Sequence, residues 1–244
     1  MSQNQVIFFD MGGTLDGDGL HWLDHFEALY ARAGIAWPRE IRRAAFDDAE
    51  RRAANDEEIA RARLVDMIDR HVAWQFEFLG PARLAEIGTW SIDALRARIV
   101  GEFVATVREA ARANVEMLAL LRARGFDLGV VSNGCGNVDV LCEDLGYTPF
   151  LSLVVDSRRV GLYKPDPAIY LHAASVMGRA PSSIMMVGDS FERDVRPAKS
   201  IGMKTAWLQG PRGGACPDPS VVDITLRVLA DLPRALEARE QTVA

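Results

Sequence analysis

The residues that decide the fold are Val6-Ile7-Phe8-Phe9-Asp10-Met11-Gly12-Gly13-Thr14-Leu15. Four apolar residues followed by a glycine turn predict a short strand that is buried on both faces. Asp10 ends this strand, and α/β sheets bind their ligands at the carboxyl ends of strands. The pattern therefore makes Asp10 a candidate nucleophile or metal ligand. The alternative, from this segment alone, is an aspartate that caps the turn.

Composition narrows the class of protein. The chain has 244 residues, of which 49% are hydrophobic and 25% charged, and its net charge is −6. These values are typical of a globular protein with one large domain, or one domain that carries an insertion. The negative charge disfavours nucleic acid or an anionic membrane as the main partner. No apolar run reaches the roughly 20 residues that a membrane span requires.

The N-terminal residues and the cysteines bear on the compartment. The first five residues lack the basic segment of a signal peptide. Three cysteines occur without the spacing of a zinc site or a disulfide framework. We therefore expect a cytoplasmic protein with reduced thiols.

Two kinds of sequence pattern divide the chain. Between residues 18 and 111, apolar residues recur at intervals of three and four, which predicts four or five helices and no strand. From residue 112 onward, strand-like runs alternate with helical segments. The predicted strands are 127–131, 150–155, 184–187, 204–208 and 224–228, and the predicted helices are 114–124, 138–145, 167–177, 192–201 and 232–239. The alternation predicts an α/β fold with a doubly wound parallel sheet, whose strand ends meet at one edge.

The helical insertion follows the loop after the first strand, so we expect it to lie over Asp10 as a lid. We predict a core domain of residues 1–17 and 112–244, and an all-helical cap domain of residues 18–111. Hinges are expected at Gly17 and Gly19 on one side and at residues 111–114 on the other. A lid of this kind suits a small-molecule substrate better than a polymer.

Polar residues follow several predicted strands. They are Asp10 and Thr14, then Ser132 and Asn133, then Lys164 before a later helix, and finally Asp189 with Asp194. Two carboxylates at one sheet edge repel each other unless a cation lies between them, and oxygen ligands favour a hard ion such as Mg²⁺. Hydroxyl and amide donors with a lysine ammonium suit an anionic phosphoryl group. The set predicts phosphoryl transfer.

These motifs, in this order, resemble those of the haloacid dehalogenase (HAD) superfamily of hydrolases. They are Asp10-Met11-Gly12-Gly13-Thr14-Leu15, Val131-Ser132-Asn133, Lys164-Pro165, and Gly188-Asp189-Ser190 with Asp194. The resemblance extends from residue 6 to about residue 207, and the insertion looks like the first-type cap of that superfamily. It implies a HAD-like Rossmannoid core in the phosphatase-like branch.

The resemblance also implies a role for each motif residue. Asp10 would attack phosphorus and become an aspartyl phosphate. Mg²⁺ would be bound by Asp10, the main-chain carbonyl of Gly12, Asp189 and Asp194. The phosphoryl group would be held by Thr14, Ser132 and Lys164, with Asn133 beside them. The expected protein is an Mg²⁺-dependent phosphohydrolase that works as a monomer or homodimer.

Gly12 departs from the family pattern, because these phosphatases usually carry an aspartate there that protonates the leaving oxygen. Such help is typically worth 10²–10⁴-fold in rate. Asp16, Asp18 or His21 could replace it, although a plain flexible turn is the favoured interpretation of residues 16–19. A substrate with a good leaving group, such as an acyl phosphate, would need no acid at this position. A binding module without catalysis would not need one either.

Two further branches of the superfamily are disfavoured. A phosphonatase would need a lysine in the cap, and the insertion contains none. A dehalogenase would usually have an aromatic residue at position 12 and lack the acidic motif around Asp189.

Substrate contacts are expected from the cap residues nearest the hinge. His21, Trp22 and His25 are the candidates, and residues 21 and 25 share one face of a helix. Their imidazoles are candidate contacts to the substrate, and burial between cap and core is the alternative.

Overall fold

A six-stranded sheet forms the centre of the computed structural model, which describes residues 5–210 and 213–243, with side chains up to residue 239. Its strands are β1 (Val6–Phe9), β2 (Asp127–Ser132), β3 (Leu151–Asp156), β4 (Ile184–Gly188), β5 (Lys204–Leu208) and β6 (Ile224–Leu226). All pairings are parallel, in the order β3-β2-β1-β4-β5-β6. The predicted doubly wound parallel sheet is confirmed, and each predicted strand lies within two residues of its predicted ends.

Both faces of the sheet are covered, as the apolar run of β1 requires. Ile7 and Phe9 pack into one cluster, and Val6 and Phe8 pack into another on the opposite face. The helices of the α/β part are α5 (Val138–Asp144), α6 (Ser157–Val160), α7 (Ala168–Val176), α8 (Arg196–Ser200) and α9 (Leu232–Val243). The predicted helix at 192–201 is shorter, because a separate helical turn, Phe191–Val195, precedes α8.

The inserted segment is helical throughout its described length. It consists of α1 (Trp22–Arg32), α2 (Arg39–Ala53), α3 (Leu64–Leu84) and the first part of α4 (Ile92–Ala123). We refer to α1, α2, α3 and the first half of α4 as the helical layer. Its interior is rich in aromatic rings, with Phe26 and Phe103 stacked at a centroid distance of 4.6 Å. None of the helices in the described part of the chain is long and apolar enough to cross a membrane.

The hinge predicted at residues 111–114 lies inside a continuous helix, so the structure has no break in secondary structure at this position. Helix α4 runs through this segment without interruption, since residues 102–124 contain neither glycine nor proline. Asn114 is buried within it, and its Nδ2 donates a hydrogen bond of 2.7 Å to the carbonyl oxygen of Leu15. The helix therefore joins the helical layer directly to the loop after β1.

Candidate active site

The loops after β1 and β4 lie side by side, because these strands are neighbours in the sheet. The amide of Asp10 donates to the carbonyl of Val187 at 2.9 Å. Thr14 joins the loops, since its hydroxyl accepts from the amide of Asp189 at 3.1 Å and donates to that residue's Oδ1 at 3.4 Å. Gly13 has a φ of +85°, and an added Cβ would lie 2.7 Å from Oδ2 of Asp189. Glycine at this position lets the two loops approach closely.

Lys164 joins the candidate nucleophile to the acidic motif. Its Nζ donates to Oδ1 of Asp10 at 2.6 Å and to Oδ1 of Asp194 at 2.7 Å, and its side chain is only 2% exposed. Asn133 fixes the main chain of Lys164, because its Oδ1 accepts from the Lys164 amide at 2.8 Å and its Nδ2 donates to the carbonyl at 2.9 Å. Residues from four separate segments, Asp10, Asn133, Lys164 and Asp194, thus meet at one point.

Three carboxylates crowd this point. Asp10, Asp189 and Asp194 each offer one oxygen, and these oxygens lie within 4.8 Å of one another. Burial, and then the charges of Asp10 and Asp194, raises the pKa of Asp189 well above its usual range. One lysine leaves the set with two excess negative charges. A hard divalent cation fits a donor set of buried carboxylate oxygens without His or Cys.

A cavity lies between these loops and the helical layer. Its lining includes the predicted residues Asp10, Gly12, His21, Trp22, Ser132, Asn133 and Lys164. Thr14 is fully buried behind the lining, where it contacts Asp189. Contact between Thr14 and a phosphoryl group therefore stays a prediction. The hydrogen bonds between Thr14 and Asp189 instead position the loop that carries Asp189.

The turn after the first motif is not the flexible segment that we expected. Asp16 is buried at the cavity wall, where Oδ1 accepts from the Gly13 amide at 2.6 Å and Oδ2 accepts from Nε1 of Trp22 at 2.8 Å. Burial raises the pKa of Asp16 to about 7. Asp18 lies elsewhere and accepts from the amide of Leu229 at 2.6 Å.

The two histidines of the hinge region have different surroundings. His21 lines the cavity and begins helix α1, since its Nδ1 accepts from the amide of Leu23 at 3.2 Å. His25, which we predicted to contact the substrate, does not belong to the cavity lining. It is 5% exposed and stacks on Phe103 at a centroid distance of 4.3 Å, inside the helical layer. Residue 25 faces the interior because α1 turns its apolar face, with Phe26, toward α4.

Sequence reasoning missed two charged residues in the cavity lining, Glu50 and Arg193. Glu50 lies one helical turn after Phe46 on α2, beside a stripe of buried residues. Because Asp47, Asp48, Arg51 and Arg52 surround it in the sequence, no local signal distinguished Glu50 from a surface charge. Cys135 also lines the cavity, but burial and the nearby carboxylates of Glu50 and Asp156 raise the pKa of its thiol to about 12. It therefore remains a protonated thiol, as expected of a small loop residue.

Comparison with known proteins supports the family suggested by these motifs. Residues 5–202 match the haloacid dehalogenase-like hydrolases, which is most of the chain. The chain therefore belongs to the haloacid dehalogenase-like hydrolase family.

Individual relatives match over shorter segments. The chain is 36% identical to a phosphoserine phosphatase of Thermus thermophilus over 121 residues, which are 47% of this chain and 48% of the relative. It is 34% identical to a phosphoglycolate phosphatase of Escherichia coli over 50% of this chain and 48% of the relative. The aligned segments thus span about half the length of these relatives. A solved dehalogenase shares the fold at a TM-score of 0.60 and 16% identity, covering 95% of this chain and 96% of that one.

Proposed function

We propose that this protein is an Mg²⁺-dependent phosphohydrolase that acts on a small phosphorylated metabolite through an aspartyl phosphate on Asp10. The observation that carries the proposal is the buried contact between Asp10 and Lys164 at the cavity, with Asp189 and Asp194 beside it. The similarity to phosphatases over half of the chain supports the same reaction. We also propose the division into a core domain and a cap domain of residues 18–111.

Each side chain has a defined task in the proposed reaction. Asp10 attacks phosphorus as the bond to the leaving oxygen breaks, and water then hydrolyses the aspartyl phosphate. Lys164 contacts the Asp10 carboxylate and presents positive charge to the phosphoryl oxygens. The hydroxyl of Ser132 and the main chain beside it donate to the same oxygens. Asp10, Asp189, Asp194 and the Gly12 carbonyl would hold Mg²⁺, which when bound neutralises charge on the transferring group.

Proton transfer to the leaving group is the weak step. Gly12 offers no donor, and both carboxylate oxygens of Asp16 already accept hydrogen bonds. A substrate with a good leaving group avoids this need, because its departing oxygen is stable as an anion. Acyl phosphates are therefore the second candidate class, and the absent acid at position 12 is the observation that favours them.

Release of phosphate tests the proposal. We expect turnover of p-nitrophenyl phosphate and acetyl phosphate with Mg²⁺, loss of turnover when EDTA removes the metal, and a fall of at least about 10³-fold in Asp10→Asn. Asp47→Asn is the matched control, since this exposed carboxylate of α2 pairs only with Arg43 on the surface in the described structure. Metal binding without turnover in the unmodified protein would instead identify a binding module that has lost catalysis.

A further inference from the structure

Glu50 is the carboxylate that the helical layer contributes to the cavity. It lies in α2 on the same face as Phe46, which lines the cavity with it. Its side chain is 42% exposed, whereas those of Asp10 and Asp194, which contact Lys164, are 9% and 1% exposed. Asp10 and Glu50 belong to the two layers that enclose the cavity, so one ligand in this cavity has both carboxylates in its lining.

A buried chain of hydrogen bonds holds Glu50 in place. The hydroxyl of Tyr30 donates to Oε1 of Gln75 at 3.0 Å, and Nε2 of Gln75 lies 2.9 Å from Nδ1 of His71. Oε1 of Gln75 accepts from Tyr30, so the amide group that faces His71 is Nε2. An amide nitrogen can only donate. Nδ1 of His71 must then accept, so its proton sits on Nε2, which donates to Oε1 of Glu50 at 3.0 Å.

The chain orients the Glu50 carboxylate and uses one of its two oxygens. His71 is 0% exposed, and its ring stacks on Phe26 at a centroid distance of 5.2 Å with an angle of 4° between planes. Its ring also contacts Phe46 and Trp22. The hydrogen bond to Oε1 therefore fixes the position of Glu50 and leaves its second carboxylate oxygen for another partner.

Arg193 lines the cavity with Glu50 but is not bonded to it. Its Nε is directed to the hydroxyl of Ser190 at 3.3 Å. Burial alone would raise the pKa of Glu50, but the hydrogen bond from His71 and nearby positive charge hold it below its usual range. Among the described residues, His71 is the side chain that binds the Glu50 carboxylate. The cavity therefore presents a fixed carboxylate that shares its lining with Asp10.

We propose that Glu50 binds a protonated amine on the non-phosphate part of the substrate, so that the substrate class is amine-bearing organic phosphates. This inference rests on the proposed phosphohydrolase function, because it assumes that the phosphoryl group lies at Asp10. A cationic amine supplies both the charge and the hydrogen-bond donors that an ionised carboxylate in a cavity wall lacks.

Two non-hydrolysable ligands of equal length test the inference. They are 3-aminopropylphosphonate and n-butylphosphonate, which differ by an ammonium in place of a methyl group. With Mg²⁺ present, we expect calorimetry to give a Kd that is about 10- to 100-fold lower for the amine, since a charge-assisted hydrogen bond accounts for this range. Glu50→Gln should reduce that ratio to near one, because the amide still accepts from His71 but carries no charge.

Asp47→Asn on the same helix is the control and should keep the full ratio, since Asp47 is exposed and pairs with Arg43. Equal affinity for both phosphonates in the unmodified protein would overturn the inference, as would an unchanged ratio in Glu50→Gln. A Glu50→Gln effect confined to turnover, with no change in the ratio of Kd values, would assign Glu50 to proton transfer and would also overturn it. Selective binding of the amine without any phosphatase activity would contradict the proposed function alone.

Discussion

Gly12 and Gly13 are adjacent glycines that the structure uses for different reasons. Position 13 requires glycine because its φ is +85° and because a Cβ there would collide with the carboxylate of Asp189. Gly12 has a φ of −70° and a ψ of 117°, which any residue can adopt, and an added Cβ would contact nothing within 4 Å. The backbone therefore does not require glycine at position 12. The space in front of it opens into the cavity that Asp10 and Lys164 line.

We expect Gly12→Asp to raise the rate of hydrolysis for substrates with poor leaving groups. The added carboxylic acid can protonate the departing oxygen, which is typically worth 10²–10⁴-fold, so we expect at least about 10²-fold in kcat/KM for an alkyl phosphate. Acetyl phosphate needs no such proton and should gain little. Gly12→Asn fills the same space without an ionisable group and serves as the control. An equal effect of both substitutions would show that proton donation at position 12 is not what limits the reaction.

At the scale of elements, sequence periodicity predicted the strands and most of the helices. It missed features that depend on contacts between side chains distant in sequence. The apolar run before Asp10 fixed β1, and the strand ends correctly brought Lys164 to that aspartate. The continuity of α4 was readable in the local pattern, because residues 102–124 contain no helix-breaking residue, but the expected change of domain led us to place a hinge there. Local pattern could not reveal Glu50 at the cavity, since its orientation depends on His71, which is 21 residues away in sequence.

Helix α1 gives a pH-dependent contribution to stability through His25. Burial lowers the pKa of this histidine from 6.5 to about 4, so protonation favours the unfolded chain. The stability that neutral His25 contributes is fully present above pH 6.5 and is lost as the pH falls toward 4. His25→Gln cannot titrate. From urea unfolding at several pH values, we expect the free energy of unfolding of the wild type to fall by about 2 kcal/mol more than that of His25→Gln between these limits. Parallel pH profiles for the two proteins would contradict this assignment.

At the scale of the whole molecule, the helical layer is attached to the sheet by hydrogen bonds on two sides of the cavity. On one side, the continuous helix α4 carries the helical layer, and Asn114 in its second half donates to the Leu15 carbonyl at 2.7 Å. On the other, residues 56–64 between α2 and α3 rest on the loop after β2. Asn137 donates there to the carbonyl of Ala62 at 3.0 Å. The second attachment uses an exposed connection rather than packed helices, so it is the one expected to open first.

Arg158 is the centre of that second attachment. Its Nη1 donates to the carbonyls of Asp56 at 2.8 Å and Cys135 at 2.9 Å, and its Nη2 donates to Glu57 at 2.6 Å. Arg158→Ala removes all three bonds, so we expect the amides of residues 56–64 to exchange hydrogen about 10- to 100-fold faster by mass spectrometry. We also expect KM to rise, because the cavity between the two layers is held closed for less of the time.

Arg159→Ala is a matched comparison for this change. Arg159 follows directly in α6, but it binds the carbonyl of Gly136 and the side chain of Asp139, both within the α/β part. Arg159→Ala also removes an arginine side chain from α6, but we expect it to leave the rate of amide hydrogen exchange in residues 56–64 unchanged. Equal exchange in the two variants would mean that packing between the layers, and not Arg158, keeps the cavity closed. In that case the opening motion would have to involve the helices themselves, including the continuous helix α4.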